Sequence, residues 1–177
     1  YMSAQLTKNV TVVANLEIMT KSVTFLDLIL QLKFADELQL WVGQHIPAND
    51  RNNSSGPFYV NNWHFPLAVH EYPFDQGARD RGFTFWGFLG GGILKYHLSM
   101  VDLQTGRNID TARFSGRLTL NLLDPENYFY CQGTYYGEQD TLAIGGVVSY
   151  QKGATGGTDV DGNGKVENDF LGLSADL

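Results

Sequence analysis

Apolar and polar residues alternate strictly along most of this chain. Between residues 24 and 34, leucines occupy alternate positions, and polar or charged side chains fill most of the positions between them. A period of two residues is typical of a β-strand with two different faces, and no helical period of comparable strength is present. The pattern resumes over 37–47 after a short turn, which predicts a β-hairpin. We therefore expect an all-β protein.

The same alternation predicts about eight strands that follow one another along the chain. Their predicted ranges are 8–19, 24–34, 37–47, 80–87, 92–101, 113–123, 140–151 and 168–177. Short connections alternate with longer ones at 48–79, 102–112 and 152–167, as they do in outer-membrane barrels. This regularity requires residues 124–139 to form a connection at the short-turn end, on the periplasmic side, rather than a further strand.

The question is which face of these strands is inside. In a soluble β-sandwich the apolar faces pack together as a core, whereas in a membrane barrel they face lipid and the polar faces line the interior. Each predicted strand is about ten residues long, enough for a tilted strand to cross a bilayer. Aromatic residues flank the strands as in an interfacial girdle: Phe34, Trp41, Trp86, Tyr96 and Tyr150. The pattern favours an antiparallel transmembrane β-barrel.

Composition narrows the class of protein further. Charged residues make up 18% of the 177 residues, which is few for the surface of a soluble domain. A net charge of −7 argues against nucleic-acid binding. The single cysteine, Cys131, cannot form an intramolecular disulfide. Because the chain starts at Tyr1 without a signal peptide, we expect residues 1–177 to be a partial barrel domain of a longer, exported protein.

Several short motifs resemble the phosphate-selective porins of the O and P type. They are Leu40–Pro47 with its Gly43-Gln44 pair, Arg79–Gly82 followed by Trp86-Gly87, Arg113–Leu118, Gly133–Glu138 and Leu142–Gly145. The resemblance implies a trimeric barrel of about 16 strands in the bacterial outer membrane, of which this chain would be about half. It also implies passage of small hydrophilic solutes, with an anion or phosphate preference in some members. The chain departs from the phosphate-specific members, because it has no dense run of lumen arginines or of loop lysines.

The predicted interior face carries the charges that would act on a solute. Its members, with alternation taken literally, are Glu17, Asp27, Lys33, Lys95, His97, Arg113 and Arg117. Because bases outnumber acids, such a pore lining favours anions. Alternatively, these side chains pair with acids across the wall and give a cation preference or none. Arg79 and Arg81, at the start of a strand, are interpreted as interfacial anchors that snorkel.

The long connection over residues 48–78 is a candidate constriction loop. Connections of this length are usually functional or disordered. It carries Arg51, Trp63 and His64 together with prolines, which favours a folded loop. We expect it to enter the barrel mouth and narrow the pore; the alternative is a cap on the outer surface.

Residues 159–167 resemble the opening of an EF-hand calcium loop. Asp159, Asp161 and Asn163 occupy its first, third and fifth positions, but Phe170 stands where the bidentate glutamate is needed. A hydrophilic, glycine-rich turn is therefore the preferred interpretation. No metal or cofactor is expected.

Catalytic signatures are lacking along the whole sequence. It contains no nucleophile elbow, phosphate loop or dinucleotide fingerprint, and its histidines lack metal-ligand spacing, so an enzyme is not expected. The sequence predicts an outer-membrane porin that forms a water-filled channel for passive diffusion of small hydrophilic solutes. Two alternatives remain open: a soluble β-sandwich or β-barrel that binds a carbohydrate or lipid, and a small plugged outer-membrane barrel that acts as an adhesin or anchor.

Overall fold

A computed structural model describes residues 2–55, 79–102, 111–132, 134–158 and 165–177, without the side chains at 102, 154–158 and 165–168. Nine strands and one short helix make up the regular structure of these residues. The strands are β1 (Met2–Thr7), β2 (Val10–Met19), β3 (Ser22–Lys33), β4 (Gln39–His45), β5 (Asp80–Leu89), β6 (Leu94–Asp102), β7 (Arg113–Asn121), β8 (Ala143–Thr158) and β9 (Lys165–Asp176). The helix α1 spans Arg51–Ser55, and Gly90–Gly92 form a single 3₁₀ turn.

All nine strands belong to one antiparallel sheet, in which each strand pairs with the next one in sequence. The all-β, antiparallel prediction is confirmed. The predicted hairpin over 24–34 and 37–47 is also confirmed, with Leu30 opposite Val42. Within the described residues β1 and β9 pair on one side only, so the sheet is open.

Strand boundaries differ from the prediction at both ends of the chain. Residues 2–7 were not predicted as a strand, yet β1 pairs with β2 from Met2 opposite Ala14 onward. Met2, Ala4 and Leu6 do alternate with polar residues, but six residues give only three repeats of the pattern. The predicted loop 152–167 was also wrong, because β8 continues to Thr158 and β9 begins at Lys165. The hairpin resumes beyond an irregularity between Gln151 and Thr155, where the ladder shifts register.

Connection lengths differ between the two ends of the sheet. At one end, residues 8–9, 34–38 and 90–93 join consecutive strands by short turns. The link between β7 and β8 lies at this same end, and its described residues form no strand, as the prediction for 124–139 required. At the other end residues 20–21 join β2 to β3 by a tight turn, and the chain leaves β4 for the long connection to β5.

The apolar face of the sheet is exposed and the polar face is buried, the reverse of the arrangement in a soluble protein. One face, here called the apolar face, is exposed and includes Phe25, Leu28, Leu30, Val42, Phe83, Phe85, Leu98, Phe114, Leu118, Ile144, Val148 and Leu173. The opposite polar face is buried and includes Asp27, Thr84, Lys95, His97, Ser99, Arg113, Ser115, Arg117, Thr119 and Gln151. Strand alternation separates the two sets, because successive side chains point to opposite sides.

A β-bulge alters the predicted alternation in β3. Asn15 pairs with Asp27 and Leu16 with Phe25, so Leu26 has no partner of its own in β2. Phe25 therefore continues the exposed apolar face, a place that strict alternation assigned to Leu26. The bulge leaves Glu17, opposite Thr24, on the same face as Asn15.

Two segments of the chain cover the polar face. The first cover segment, residues 46–55, leaves the end of β4 and includes α1; the second cover segment, residues 124–139, lies between β7 and β8. The hydrophobic core of the described residues lies between this face and the second cover segment, and consists of Val13, Ile29, Trp41, Trp86 and Phe129. The apolar interior of the molecule is thus small and lies on the polar side of the sheet.

Candidate functional site

Charged and hydroxyl side chains on β5, β6 and β7 form a continuous strip across the polar face. Antiparallel register places His97 opposite Arg117, Lys95 opposite Thr119 and Ser99 opposite Ser115. Thr84 of β5 adds a hydroxyl that lies 2.7 Å from the Ser99 hydroxyl. All of these side chains are buried by the cover segments.

Phe129 anchors the second cover segment to the sheet. Its ring stacks on the Trp41 indole with centroids 3.9 Å apart and planes 13° apart. It also meets the ring of His97 edge-on at 4.7 Å and that of Trp86 at 5.3 Å. Such aromatic pairs contribute about 0.5–1.5 kcal/mol each beyond the area they bury.

Backbone carbonyls of the second cover segment satisfy two buried bases of the sheet. The Lys95 ammonium donates to the carbonyl oxygen of Tyr128 at 2.7 Å and lies 3.4 Å from that of Glu126. The His97 Nε2 donates to the carbonyl oxygen of Phe129 at 3.2 Å. A buried cation without such acceptors would be strongly destabilising, so Lys95 and this segment depend on each other.

The first cover segment is held by the sheet through its backbone. The Ala48 amide donates to the Ser99 hydroxyl at 2.8 Å, and the Arg117 guanidinium donates to the Asn49 carbonyl at 3.2 Å. Asp50 caps the helix α1, accepting from the Asn53 amide at 3.2 Å, as expected of an aspartate at this position. These bonds place Arg51 over the middle of the polar face.

Arg51 joins the two cover segments, which approach from opposite ends of the sheet. Its guanidinium donates two parallel hydrogen bonds to the Glu126 carboxylate, at 2.8 and 2.9 Å, and a third to the Gln132 carbonyl at 3.0 Å. The Tyr135 hydroxyl donates to the same carboxylate. Two parallel hydrogen bonds from a guanidinium to a carboxylate form a strong, geometrically specific ion pair. This group is called the clasp below.

The clasp alters the protonation equilibria of its members. Burial by itself raises the pKa of the Glu126 carboxyl, but hydrogen bonds from Arg51 and Tyr135 outweigh it and hold the pKa below its ordinary value. Burial lowers the pKa of Arg51, but the hydrogen bond to Glu126 exceeds this effect and the pKa is raised. Burial and the hydrogen bond to Glu126 raise the pKa of Tyr135. Glu126 is therefore ionised at neutral pH.

The lowered pKa of Glu126 predicts an acid-sensitive contribution to stability. Because the pKa is depressed in the folded state, this contribution is fully present above the ordinary glutamate value of about 4.3 and is lost as the pH falls through the lowered folded value. Denaturant titrations of the full-length protein between pH 7 and pH 2 should show that loss. In Glu126→Gln the fall below about pH 4 should be smaller by up to about 1.4 kcal/mol per pH unit. Equal acid sensitivity in both proteins would contradict the prediction.

Three further ion pairs compensate the remaining bases of the polar face. Arg117 donates to both carboxylate oxygens of Asp176 in β9, at 2.6 and 2.7 Å. Arg113 lies 3.8 Å from the Asp80 carboxylate.

The Arg79 Nε donates to Asp27 at 2.8 Å, so the interpretation of Arg79 as a lipid-facing anchor was wrong. Arg79 directly precedes β5, and its side chain turns toward the polar face, where the Asp27 carboxylate attracts it. Arg81 is exposed and donates to the side-chain oxygen of Gln44.

The predicted pore-lining residues occupy different environments. Lys95, His97, Arg113, Arg117 and Asp27 are buried on the polar face, beneath the cover segments or beside them. Lys33 is 56% exposed at the end of β3 and pairs with Asp36. Glu17 is half-buried toward the other end.

Of the predicted constriction loop, only the first cover segment can be placed. Arg51 lies in the clasp, and the other two constriction candidates, Trp63 and His64, lie outside the described residues. The calcium candidates Asp159, Asp161 and Asn163 also lie outside them. Within the described part of the chain, no three His, Cys, Asp or Glu side chains are placed to hold a metal ion.

Sequence analysis identified Asp27 but missed the other acids of this site, Asp80, Glu126 and Asp176. Asp176 could have been found, because it lies two residues after Ser174 and four after Gly172 in the last predicted strand. Residues at this spacing share one face of a strand, here the polar face. Glu126 could not, because it lies in a non-periodic stretch whose position depends on long-range packing.

Among the described residues, no helix is both long enough and apolar enough to cross a membrane. Comparison with protein-family models, curated proteins and solved structures gives no match to this chain.

Proposed function

We propose that this sheet is part of the wall of a transmembrane β-barrel in a bacterial outer membrane, and that the barrel is a porin. One observation carries the proposal: the apolar face is exposed across the sheet while the polar face buries lysine and arginine. A continuous apolar surface of this kind marks a face that another apolar phase covers. In a barrel that phase is lipid, and the polar face lines the interior.

Strand length and connection pattern support the same proposal. The strands β2, β3, β5, β6 and β7 contain between 9 and 12 residues, the length that a tilted strand needs to cross the bilayer. The longest connection, from β4 to β5, lies at one end of the sheet, as the long extracellular loops of outer-membrane barrels do. Antiparallel neighbours in sequence order are also the connectivity of such barrels.

Within this proposal, the channel passes small hydrophilic solutes by diffusion, in an assembly of three copies. An anion or phosphate preference is a narrower proposal that rests on Lys95, Arg113 and Arg117. Its support is weaker, because each of these cations lies beside an acceptor of its own chain. A cation that is already compensated contributes little field to a passing solute.

A second candidate is a small plugged barrel that serves as an anchor or adhesin. The two cover segments favour it, because they bury most of the polar face that would otherwise line a pore. A soluble β-sandwich or β-barrel that binds a carbohydrate or lipid has less support. Such a fold would need a second apolar layer on the exposed face, and none of the described residues forms one.

The deciding measurement is the single-channel current of the full-length protein in a planar bilayer under a salt gradient. We expect stable conductance steps, and the sign of the reversal potential gives the ion preference. If Arg113→Gln and Arg117→Gln reduce an anion-selective potential, the narrower proposal is supported; cation selectivity would discard it and keep the porin. Folded protein without conductance would overturn the porin and favour the plugged barrel.

A further inference from the structure

A cavity of about 730 Å³ lies on the polar face at the end of the sheet that carries the short turns. Its wall includes Thr11, Gln31, Gln39, Trp86, Phe88 and Tyr128. The volume lies within the range of about 300–1,000 Å³ that is typical of sites for small organic molecules. It is therefore large enough to hold one or two sugar rings.

The polar groups deeper in this wall are neutral. Gln39, which lies opposite Trp86 in the ladder, is buried, and Gln31 lies opposite Trp41; the side chains of both glutamines line the cavity. The Trp86 Nε1 is buried without a hydrogen-bond partner in the part of the chain that the structure describes. Each amide offers two donors and an acceptor, and the indole offers one donor. A buried indole N–H normally has a hydrogen-bond partner, so the Trp86 N–H indicates a ligand or water in the cavity that supplies one.

Aromatic rings stand beside these amides. Tyr128, on the second cover segment, is 48% exposed, and Phe88 and Trp86 meet at 5.5 Å within the same wall. Aromatic faces pack favourably against the C–H faces of a pyranose ring, while amides and an indole N–H hydrogen-bond its hydroxyls. The cavity wall therefore offers both apolar and hydrogen-bonding groups, which match the C–H faces and the hydroxyls of a sugar.

The charges around the cavity do not select an ion. Two bases and two acids stand on its rim, Lys8 and Lys33 against Asp36 and Glu37. Lys33 and Asp36 already form an ion pair. The bases deeper in the polar face are compensated by protein groups as described above. A net-neutral rim over neutral amides suits an uncharged ligand better than phosphate.

We propose that this cavity binds a neutral polyhydroxylated solute, of the size of a mono- or disaccharide. The proposal rests on the proposed porin function only in that the channel would carry the solute to the cavity. Gln31 and Gln39 bind its hydroxyls, the Trp86 N–H donates to one of them, and Tyr128 and Phe88 pack against its apolar face.

The test is isothermal titration calorimetry of the full-length protein in detergent micelles, with maltose as the probe and inorganic phosphate as the competing class. We expect saturable maltose binding and no heat of binding for phosphate. Gln39→Met and Gln31→Met keep side-chain size and remove the hydrogen-bonding groups, and each should weaken maltose binding about tenfold. Gln132→Met, on the second cover segment but outside the cavity wall, is the matched control and should bind maltose as the unaltered protein does.

Three outcomes would overturn the proposal: no maltose binding by folded protein, phosphate binding in its place, or maltose binding that both cavity variants leave unchanged. Far-ultraviolet circular dichroism of each variant establishes that it is folded. If Gln39→Met does not fold, Gln31→Met provides the same test at a half-buried position. Calorimetry detects maltose binding whether or not the protein conducts ions. A failure of the porin proposal in the planar bilayer is therefore distinguishable from a failure of the binding proposal.

Discussion

Replacing Leu98 with arginine should destabilise the membrane-inserted protein by about 2–4 kcal/mol, the penalty for arginine at the bilayer midplane of a barrel. Leu98 is the central residue of β6, lies opposite Phe85 and Gly116, and is 56% exposed on the apolar face. If lipid covers this face, the guanidinium enters hydrocarbon. Urea unfolding of the full-length protein folded into phospholipid vesicles measures the effect.

Tyr136→Arg is the matched control for this experiment. Tyr136 is 90% exposed in the connection between β7 and β8, outside any strand, so its replacement should change the free energy of unfolding by less than about 0.5 kcal/mol. If the apolar face meets water instead, Leu98→Arg should be as mild as this control. That result, or greater solubility of Leu98→Arg without detergent, would contradict the membrane proposal.

Glu126→Gln should reduce the free energy of unfolding by about 3–5 kcal/mol, the usual effect of removing one partner of a buried ion pair. The Glu126 side chain is only 1% exposed, and its loss of charge leaves Arg51 without its carboxylate. Lys95, which is stabilised by the same carboxylate, loses that support as well. Denaturant unfolding measures the change. If a pore is present, release of the cover segments should also raise single-channel conductance.

Lys33→Met supplies the comparison for an exposed pair. Lys33 and Asp36 are 56% and 71% exposed, so their ion pair should contribute less than about 1 kcal/mol. The double variant Arg51→Met with Glu126→Leu removes both charges and should recover much of the stability that Glu126→Gln loses. A Glu126→Gln effect no larger than that of Lys33→Met would show that the clasp does not hold the cover segments.

The strands and their faces could be predicted from sequence because a period of two is a local property. In β6, for example, Lys95, His97 and Ser99 alternate with apolar residues, and each pair of neighbours points to opposite sides. Local alternation fails where it is interrupted or short. The bulge at Leu26 and the six-residue strand β1 show these two failures.

The site above the polar face could not be predicted in the same way. Arg51 and Glu126 lie 75 residues apart, and no periodic signal marks either of them as partners. Phe129 stacks on Trp41 only because the connection after β7 folds back over the sheet. The sequence predicted which face of the sheet carries Lys95 and Arg117, but not which segments lie over that face. Those segments are placed by packing between residues that are distant in sequence.

The order of the strands has a consequence for how the molecule assembles. Every strand pairs with its neighbour in sequence, so the sheet can grow one hairpin at a time, with little loop-closure entropy for each addition. The contacts of Arg51 span 75 residues to Glu126 and 125 residues to Asp176, and they need both distant partners already in place. Contacts of such large sequence separation form slowly. The sheet should therefore assemble first, and the two cover segments should dock on its polar face last.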